Sequence, residues 1–304
     1  MVDVRITFLG TSAGMPTRER GLPSVLIEAD GELVLFDCGE GTQRQLMKVN
    51  ASLGKRMKIF VSHMHGDHIF GLPGLIQTMN LINRTHPLEV FGPPGLKEFI
   101  EQTTVPAMCK PSFDLEIHEV EGGEVYKCRQ YTVFGSWTEH SVPNLAYKIT
   151  FGEGRGRFLP ERAKALGIPE GPLWGILKAG SPVVLEGGRV VNPYEVLGEP
   201  VKGISVVYSG DTRPCESVKR LAAGAEILIH EATFSRELEG KAEAEGHSTA
   251  HGAASVAKEA NVGTLILTHF SARYHDLAQL EIEAKEIFSG ARVAKDLESY
   301  DLKA

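Results

Sequence analysis

The chain has 304 residues, of which 42% are hydrophobic and 23% are charged, a composition typical of a globular protein with a sizeable core. Its formal net charge of −7 argues against a protein that coats nucleic acid non-specifically, but it is compatible with a local basic patch. The four cysteines are far apart and include no CxxC pair, which argues against a disulfide framework and against a thiolate zinc site.

The sequence shows neither of the patterns that we expect in a membrane-spanning or exported protein. No apolar run reaches the roughly 18 residues that a bilayer-spanning helix needs. The first residues enter a strand pattern directly, without the basic and apolar regions of a signal peptide. We therefore expect a cytoplasmic protein with no membrane partner.

Short apolar runs rich in Val, Ile and Leu alternate along the chain with segments of helical spacing. The runs lack strict polar alternation, which indicates strands covered on both faces of a sheet. Strands are predicted at 6–9, 33–36, 58–61, 204–208, 227–229 and 264–267. Helices are predicted at 41–49, 96–104, 217–223, 250–260 and 277–288. This alternation favours a single α/β domain over residues 1–304, with helices layered on sheets.

Side chains able to bind metal come just after five of the predicted strands. They are Asp37, His63, Asp211, His230 and His269. The carboxyl ends of strands in open α/β sheets form the edge where active sites lie. The repetition therefore predicts a functional site on one such edge.

The segment His63-Met64-His65-Gly66-Asp67-His68 contains four potential metal ligands in six residues. Alternate residues of an extended backbone point to the same side, so His63 and His65 can share one metal ion. Gly66 would allow the chain to turn, and Asp67 and His68 would then face a second ion. Imidazole and carboxylate groups are typical zinc ligands. The alternative is a histidine-rich loop without metal, which is rare directly after an apolar strand.

Three further candidate ligands come from distant parts of the sequence, and each has a structural alternative. His140 follows a strand-like run at 131–137 and could be a solvated or core histidine. Asp211 could be a helix N-cap, and His269 could be a hydrogen-bonded histidine at a strand end. Their occurrence together with the six-residue segment favours a metal site.

A Gly/Pro-rich segment from about 151 to 200 interrupts this pattern. Its first part, 151–178, carries a net charge of +2 from five basic and three acidic residues: Arg155, Arg157, Arg162, Lys164, Lys178, Glu153, Glu161 and Glu170. We interpret it as a flexible arm inserted into the domain, with one short helix near 160–166. The alternative is a surface loop whose charges are simply solvated.

Together these residues resemble the short form of ribonuclease Z, a family of tRNA 3′-processing endonucleases in the metallo-β-lactamase superfamily, over nearly the whole chain. His230-Glu231-Ala232-Thr233 matches the family's HEAT motif, and His247-Ser248-Thr249 its HST motif. Gly156-Arg157-Phe158 and Gly171-Pro172-Leu173 resemble the arm that grips the tRNA elbow. Residues 16–21 resemble the PxKxRN loop but carry Arg18 for Lys and Gly21 for Asn.

The resemblance implies a metallo-β-lactamase fold, an αββα four-layer sandwich with an inserted projecting arm at about 151–200. It also implies two zinc ions per chain. The first would be held by His63, His65 and His140, and the second by Asp67, His68 and His269. Asp211 would bridge both ions.

The implied activity is endonucleolytic removal of the 3′ trailer from precursor tRNA by a homodimer, leaving a 3′-hydroxyl on the tRNA and a 5′-phosphate on the trailer. Asp67 is the candidate general base, and His247 is the candidate proton donor, oriented by Glu231. His247 could instead merely precede a helix capped by Ser248 or Thr249. The predicted RNA contacts are Arg155, Arg157, Arg162, Lys164, Arg18 and Arg20.

Two other functions are compatible with parts of this pattern. A small-molecule phosphodiesterase or other hydrolase on the same fold would use the same seven ligands, because they activate water whatever the substrate. A metal-free scaffold in an RNA-processing complex is disfavoured because all seven ligands are present. For His230 a buried polar network is the preferred interpretation, and for His251 a structural role.

Overall fold

The computed structural model describes residues 3–152, 154–199 and 203–303. In chain order, the strands are β1 (Asp3–Gly10), β2 (Ser12–Ala13), β3 (Ser24–Ala29), β4 (Glu32–Phe36), β5 (Met57–Phe60), β6 (Leu88–Gly92), β7 (Leu115–Glu119), β8 (Gly123–Lys127), β9 (Tyr131–Trp137), β10 (Leu145–Phe151), β11 (Val183–Val184), β12 (Val190–Val191), β13 (Ile204–Tyr208), β14 (Ile227–Glu231), β15 (Thr264–Thr268), β16 (Phe270–Ser271), β17 (Ala291–Val293) and β18 (Ser299–Lys303).

The helices connect these strands. They are α1 (Thr42–Lys48), α2 (Gly66–Ile69), α3 (Gly71–Leu81), α4 (Leu96–Thr104), α5 (Pro160–Ala165), α6 (Pro172–Lys178), α7 (Pro193–Val196), α8 (Glu216–Ala222), α9 (Glu239–Glu245), α10 (Ala250–Glu259) and α11 (Ala278–Ile287). None of the helices in the described ranges has both the length and the apolar character needed to cross a bilayer.

Two seven-stranded sheets form the centre of the molecule. The first has the order β18-β1-β3-β4-β5-β6-β7, and the second β17-β15-β14-β13-β10-β9-β8. Strands β4 to β7 run parallel in the first sheet, as do β13, β14, β15 and β17 in the second. The remaining neighbours in both sheets are antiparallel.

Three apolar cores hold the layers together. The central core combines side chains of both sheets, such as Phe36 and Tyr147, whose rings stack with centroids 5.9 Å apart. A second core lies between the first sheet and helices α1 to α4. A third lies between the second sheet and helices α8, α10 and α11. Each sheet therefore has helices on its outer face, and the predicted α/β sandwich of four layers is confirmed.

Strands β10 and β13 are antiparallel neighbours, and residues 154–199 lie between them in the chain. This β10–β13 connection contains α5, α6, α7 and the β11–β12 hairpin. It has a small apolar core of its own, which includes Trp174, Leu177 and Val191. A bridge between Phe158 and Leu197 closes its base. The helix predicted near 160–166 is present as α5.

The carboxyl ends of the parallel strands of both sheets meet at one edge. Asp37 follows β4 in the first sheet, and its Oδ2 accepts a hydrogen bond of 2.6 Å from the Tyr208 hydroxyl at the end of β13 in the second sheet. Tyr147 of β10 reaches across in the same way and donates to the Val61 carbonyl at 2.7 Å. Side chains that follow the strands of either sheet can therefore share one site.

Candidate metal centre

The first four candidate ligands come from the turn after β5 and from α2. His63 and His65 lie on extended backbone, and the chain becomes helical at Gly66, with His65 as the N-cap of α2. This brings Asp67 and His68 into the first turn of a helix. Gly66 is not in the left-handed region among the described glycines, so the conformational freedom expected of it is not used. Instead, a Cβ on Gly66 would lie 2.3 Å from the Phe70 ring.

His63, His65 and His140 place their ring nitrogens together beside Asp211. The His65 Nδ1 lies 3.0 Å from the His63 Nε2 and 3.2 Å from the His140 Nε2. The Asp211 Oδ2 lies 3.7 Å from the His63 Nε2. Four ligands at zinc distances in a tetrahedron are about 3.4 Å from one another. These separations are therefore those of a single metal site.

Asp67, His68 and His269 form a second group beside the same carboxylate oxygen. The His68 and His269 Nε2 atoms are 3.3 Å apart, and the Asp67 Oδ2 lies 3.6 Å and 3.4 Å from them. The Asp211 Oδ2 lies 3.4 Å from the His68 Nε2 and 3.3 Å from the His269 Nε2. One oxygen of Asp211 thus faces both groups.

The environment of Asp211 shows whether these residues are suited to metal ions. It is buried, and its Oδ1 has no hydrogen-bond partner among the described residues. Burial raises the pKa of this carboxyl, but the His269 and His68 rings outweigh burial and hold its pKa well below the usual value. A buried, ionised carboxylate with an unpartnered oxygen is costly unless a cation satisfies it. The donor set of five imidazoles and two carboxylates is one that zinc binds.

In four of the histidine rings, the nitrogen that faces away from the cluster has a hydrogen-bond partner. This partner determines which nitrogen is free to bind a metal. The His68 Nδ1 donates to Asp37 at 2.7 Å, and the His140 Nδ1 donates to the Gly246 carbonyl at 2.7 Å. The His63 Nδ1 lies 2.9 Å from the Ser62 Oγ, and the His269 Nδ1 lies 2.8 Å from the Thr233 Oγ1.

Both hydroxyls already donate to carboxylates, Ser62 to Asp37 and Thr233 to Glu231. They must therefore accept from His63 and His269. All four rings thus carry their proton on Nδ1 and present the Nε2 lone pair to the cluster, the tautomer that a metal ligand needs.

His247 and Glu231 form an ion pair at the border of both groups. The His247 Nδ1 lies 2.8 Å from the Glu231 Oε1, and the His247 ring lies beside those of His140 and His269. Glu231 is 1% exposed and His247 side chain 15% exposed, so the imidazole is the member that reaches solvent. Burial lowers the pKa of His247, but Glu231 outweighs burial and raises it to about 9.

Comparison with known proteins gives matches over almost the entire chain. Ribonuclease Z of Methanothermobacter thermautotrophicus is 48% identical over 301 residues, which cover 99% of this chain and 97% of that protein. Ribonuclease Z of Methanosarcina mazei is 44% identical over 295 residues, 97% of this chain and 96% of that protein. The chain belongs to the ribonuclease Z family.

Sequence profiles and solved structures give further matches. Residues 4–151 match the family described as anti-Pycsar protein Apyc1, and residues 179–270 match the beta-lactamase superfamily domain. The crystal structure of human tRNase Z, short form, superposes with a TM-score of 0.71 at 28% identity, covering 97% of this chain and 98% of that one. The predicted metallo-β-lactamase fold is confirmed, and the chain is an enzyme of the ribonuclease Z type.

For several other side chains of this ribonuclease Z family member, the sequence left a structural and a functional interpretation open. Their positions in the structure distinguish between the two. Asp211 is not a helix N-cap, because the N-cap of α8 is Cys215. His230 lies within β14 rather than after it, and its Nδ1 donates to the Glu231 carbonyl at 2.8 Å. His230 is absent from the groups of converging ligand atoms in the described residues, so its inclusion among the side chains of the functional edge was wrong. Thr249 is the N-cap of α10 and accepts from the Gly252 amide.

The predicted RNA contacts lie in two places outside the metal centre. Arg155, Arg157, Arg162 and Lys164 are exposed on the β10–β13 connection. Two of them, Arg155 and Arg162, line an open groove of about 1130 Å³ together with Lys127 and Arg129. Arg18 is exposed and Arg20 half-buried in the loop between β1 and β3.

Sequence reasoning missed the residues that support the ligands. Asp37 was noted only as a metal-capable residue, yet it accepts hydrogen bonds from His68, Ser62 and Tyr208. Thr233 is the last residue of the HEAT match, so a signal for it existed. Tyr208 and the Gly246 carbonyl had none, since their contacts join distant parts of the chain.

Proposed function

We propose that this chain is a zinc-dependent endoribonuclease that removes the 3′ trailer from precursor tRNA, leaving a 3′-hydroxyl on the tRNA and a 5′-phosphate on the trailer. The observation that carries the proposal is full-length identity of 48% to a ribonuclease Z, in a chain whose seven candidate ligands converge around one carboxylate. The substrate is carried over from the name of the solved relative, human tRNase Z.

His63, His65 and His140 would hold one zinc ion, Asp67, His68 and His269 the other, and Asp211 would be shared. When bound, such a pair of ions acidifies water and offsets charge on the phosphate oxygens. Asp37, Ser62, Thr233 and Gly246 hold four of the histidine rings by hydrogen bonds, and these bonds keep the ligands in place before substrate arrives.

The chain's own residues would then move the two protons of the reaction. Asp67 accepts a hydrogen bond from the Gly14 amide at 2.8 Å, and its carboxylate is placed to take a proton from the attacking water. His247, held by Glu231, is placed to donate a proton to the leaving 3′-oxygen. The Glu231 carboxylate is fixed in turn by the Thr212 amide at 3.1 Å and the Thr233 amide at 3.0 Å, so the imidazole cannot swing away with its partner.

The β10–β13 connection would act as the arm that binds tRNA. The groove at its base is lined by four cations, Lys127, Arg129, Arg155 and Arg162, against one acidic residue, Glu199. Such a charge balance attracts phosphates without reading bases, as an enzyme that accepts many tRNAs requires.

A homodimer is also proposed. Large apolar side chains are exposed at or near the ends of α3 and α4: Phe70, Leu81, Ile82, Val105 and Met108. Exposed apolar patches of this kind usually mark interfaces. Light scattering should give twice the chain mass, whereas Phe70→Ser/Met108→Ser should give the chain mass. Localisation in the cytoplasm stays a prediction from the sequence.

Cleavage-site mapping tests the proposed function directly. Two precursor tRNAs, one with an encoded CCA and one without, would be cleaved, and the product ends identified by ligation and phosphatase treatment. We expect a single cut next to the discriminator nucleotide, with a 3′-hydroxyl on the tRNA product. Hydrolysis of bis(p-nitrophenyl) phosphate without any cleavage of precursor tRNA would favour the small-molecule phosphodiesterase instead.

A further inference from the structure

The segment between β1 and β3 is a closed loop, residues 11–21, hereafter the 11–21 loop. Its two ends lie against each other, since the Ser12 amide donates to the Gly21 carbonyl at 2.9 Å. The neighbouring residues approach even more closely, and a Cβ on Gly10 would lie 1.9 Å from the Leu22 carbonyl oxygen. Glycine is therefore required where the chain leaves β1 for the loop.

The loop contacts the second ligand group of the metal centre at two points. The Gly14 amide donates to the Asp67 Oδ2 at 2.8 Å. The Phe270 amide, directly after His269, donates to the Thr11 carbonyl at 2.8 Å, and β2 pairs with β16. A shift of the loop would therefore change the surroundings of both Asp67 and His269.

The base of the loop is fastened by a carboxylate from a distant part of the chain. The Asp296 Oδ1 accepts from the Thr11 hydroxyl at 2.8 Å, and its Oδ2 accepts from the Gly21 amide at 2.7 Å. The same Oδ2 accepts from the Gln45 side chain at 3.1 Å, and Gln45 also donates to the Leu9 carbonyl at 2.7 Å. A single carboxylate thus joins the start of the loop, its end and α1.

The environment of Asp296 explains why a carboxylate is needed there. The Gly21 amide and the Gln45 side-chain NH₂ group can only donate, whereas the Thr11 hydroxyl can also accept. An asparagine would keep the first two bonds only by turning its NH₂ group towards Thr11, and it would lose the negative charge that strengthens all three. Burial raises the pKa of Asp296, and the hydrogen bonds from Gly21 and Thr11 counteract only part of that increase. Hydrogen bonds to a charged acceptor are the stronger ones, and the three donors come from the start of the loop, its end and α1.

The exposed side of the loop faces a groove of about 250 Å³ that carries charges of both signs. It is lined by four cations, Arg18 and Arg20 from the loop and Arg44 and Lys48 from α1, and by three carboxylates, Glu19, Glu40 and Asp296. Asp296 lines the same groove and joins its two walls. The position of the loop cations relative to those of α1 therefore depends on this carboxylate.

We propose that Asp296 is a positioning residue, which keeps the 11–21 loop closed so that its cations hold the RNA backbone beside the metal centre and its Gly14 amide stays on Asp67. The proposal rests on the proposed function and adds a determinant of substrate binding to it. Asp296 does not itself touch the reacting atoms.

Asp296→Asn tests the proposal, with Asp301→Asn as the matched control. Asp301 is an exposed aspartate five residues later, which pairs with Arg5 at 2.8 Å on the edge strand β18. Amide exchange at Gly14 and Gly21 should accelerate about tenfold or more in Asp296→Asn only, because a charge-assisted hydrogen bond is lost. KM for precursor tRNA should rise about tenfold, whereas turnover of bis(p-nitrophenyl) phosphate, which depends on the loop only through the contact between Gly14 and Asp67, should fall by a clearly smaller factor, and zinc content should equal that of Asp301→Asn.

A second variant separates the hydrogen bonds from a general loss of stability. Thr11→Val removes one donor but leaves the carboxylate, so its effect on KM should be smaller. In the double variant Asp296→Asn/Thr11→Val, the Thr11→Val change should not raise KM beyond the value for Asp296→Asn, since the interaction is already broken. Additive effects would contradict a shared role.

Three results would overturn the proposal. The first is exchange and KM in Asp296→Asn equal to those of Asp301→Asn. The second is a proportional loss on tRNA and on the small phosphodiester, which would make Asp296 part of the metal centre's support. The third is loss of bound zinc. Failure of the wild-type protein to cleave precursor tRNA would instead reject the proposed function, and the exchange rates would still decide whether Asp296 closes the loop.

Discussion

The metal centre and the β10–β13 connection are organised in opposite ways. In the metal centre the ligands are mostly buried, and four of the five histidines are fixed by a second hydrogen bond. The connection packs its own small core, but its candidate RNA-binding side chains are exposed and make at most weak hydrogen bonds, such as Arg155 to the Lys178 carbonyl at 3.4 Å.

This difference suggests a division of work. A rigid, buried constellation can hydrolyse any phosphodiester that reaches it, because it recognises only the reacting group. Exposed cations on a separate unit can choose a substrate by its size and charge, without changing the chemistry. Variants of the metal centre should therefore reduce activity on both a tRNA and a small phosphodiester, whereas variants of the connection should reduce activity on the tRNA alone.

The largest effect is expected from His65→Ala. Its Nδ1 lies within 3.2 Å of two other ligand nitrogens, so its removal should empty at least one metal position. Zinc content and activity on both substrates should fall together, activity by at least about a hundredfold, since even supporting residues of metal sites contribute 10–100-fold. His275→Ala, at an exposed histidine, is the control. Full zinc occupancy in His65→Ala would contradict the assignment.

The second-largest effect is expected from His247→Ala. Turnover of precursor tRNA should fall by about 10²–10⁴, the usual contribution of a positioned general acid, while two zinc ions stay bound. The small substrate should lose less, because p-nitrophenolate leaves without a proton. His251→Ala, four residues later and within α10, should be close to wild type. Loss of zinc in His247→Ala would make His247 a ligand, an arrangement that its 3.9 Å distance to Asp211 leaves geometrically possible.

Removal of the β10–β13 connection tests the other half of the comparison. Because Phe158 pairs with Leu197 and the Gly198 amide donates to the Arg157 carbonyl at 2.8 Å, the two ends of the connection are adjacent. Residues 155–198 can therefore be replaced by a short Gly/Ser linker without separating β10 from β13. Precursor tRNA cleavage should fall at least about tenfold through KM, since several phosphate contacts disappear. Hydrolysis of bis(p-nitrophenyl) phosphate should stay within about twofold. Equal retention of both activities would exclude a role in tRNA binding.

Single cations of the groove should have the smallest effect. Arg155→Ala and Arg162→Ala should each raise KM a few-fold and reduce the dependence of log KM on log salt concentration by about one unit per lost phosphate contact. Arg292→Ala on β17 is the control. An unchanged salt dependence in both variants would move the RNA path away from this groove.

Much of the fold was predictable because buried parallel strands carry a strong local signal. The predicted strands at 204–208 and helix at 96–104 match β13 and α4. Helix α3 was missed, because Gly71, Pro73 and Gly74 suggest a turn, yet Pro73 lies in the first helical turn, where no amide bond is lost. The edge strands β7 and β8 were missed because their side chains are partly exposed and mixed in character.

The site was predictable where its residues are consecutive or follow strands, as His63 to His68 and Asp211 do. The β10–β13 connection was harder to judge. Its many Gly and Pro residues suggested flexibility, but Pro172 begins α6, and Trp174 and Leu177 of that helix are buried in a core. The hydrogen bonds from Thr11 and Gly21 to Asp296 were unpredictable, because these residues become neighbours only when the first and last strands of the chain pair.

The proposed function requires two zinc ions that lie side by side and share Asp211. Crystals grown without chelator and with zinc supplied, measured on both sides of the zinc absorption edge, test it most directly. We expect two anomalous peaks per chain, one among His63, His65 and His140, the other among Asp67, His68 and His269, both adjacent to Asp211. An empty pocket, or a single peak that Asp211 does not contact, would contradict a shared two-zinc site.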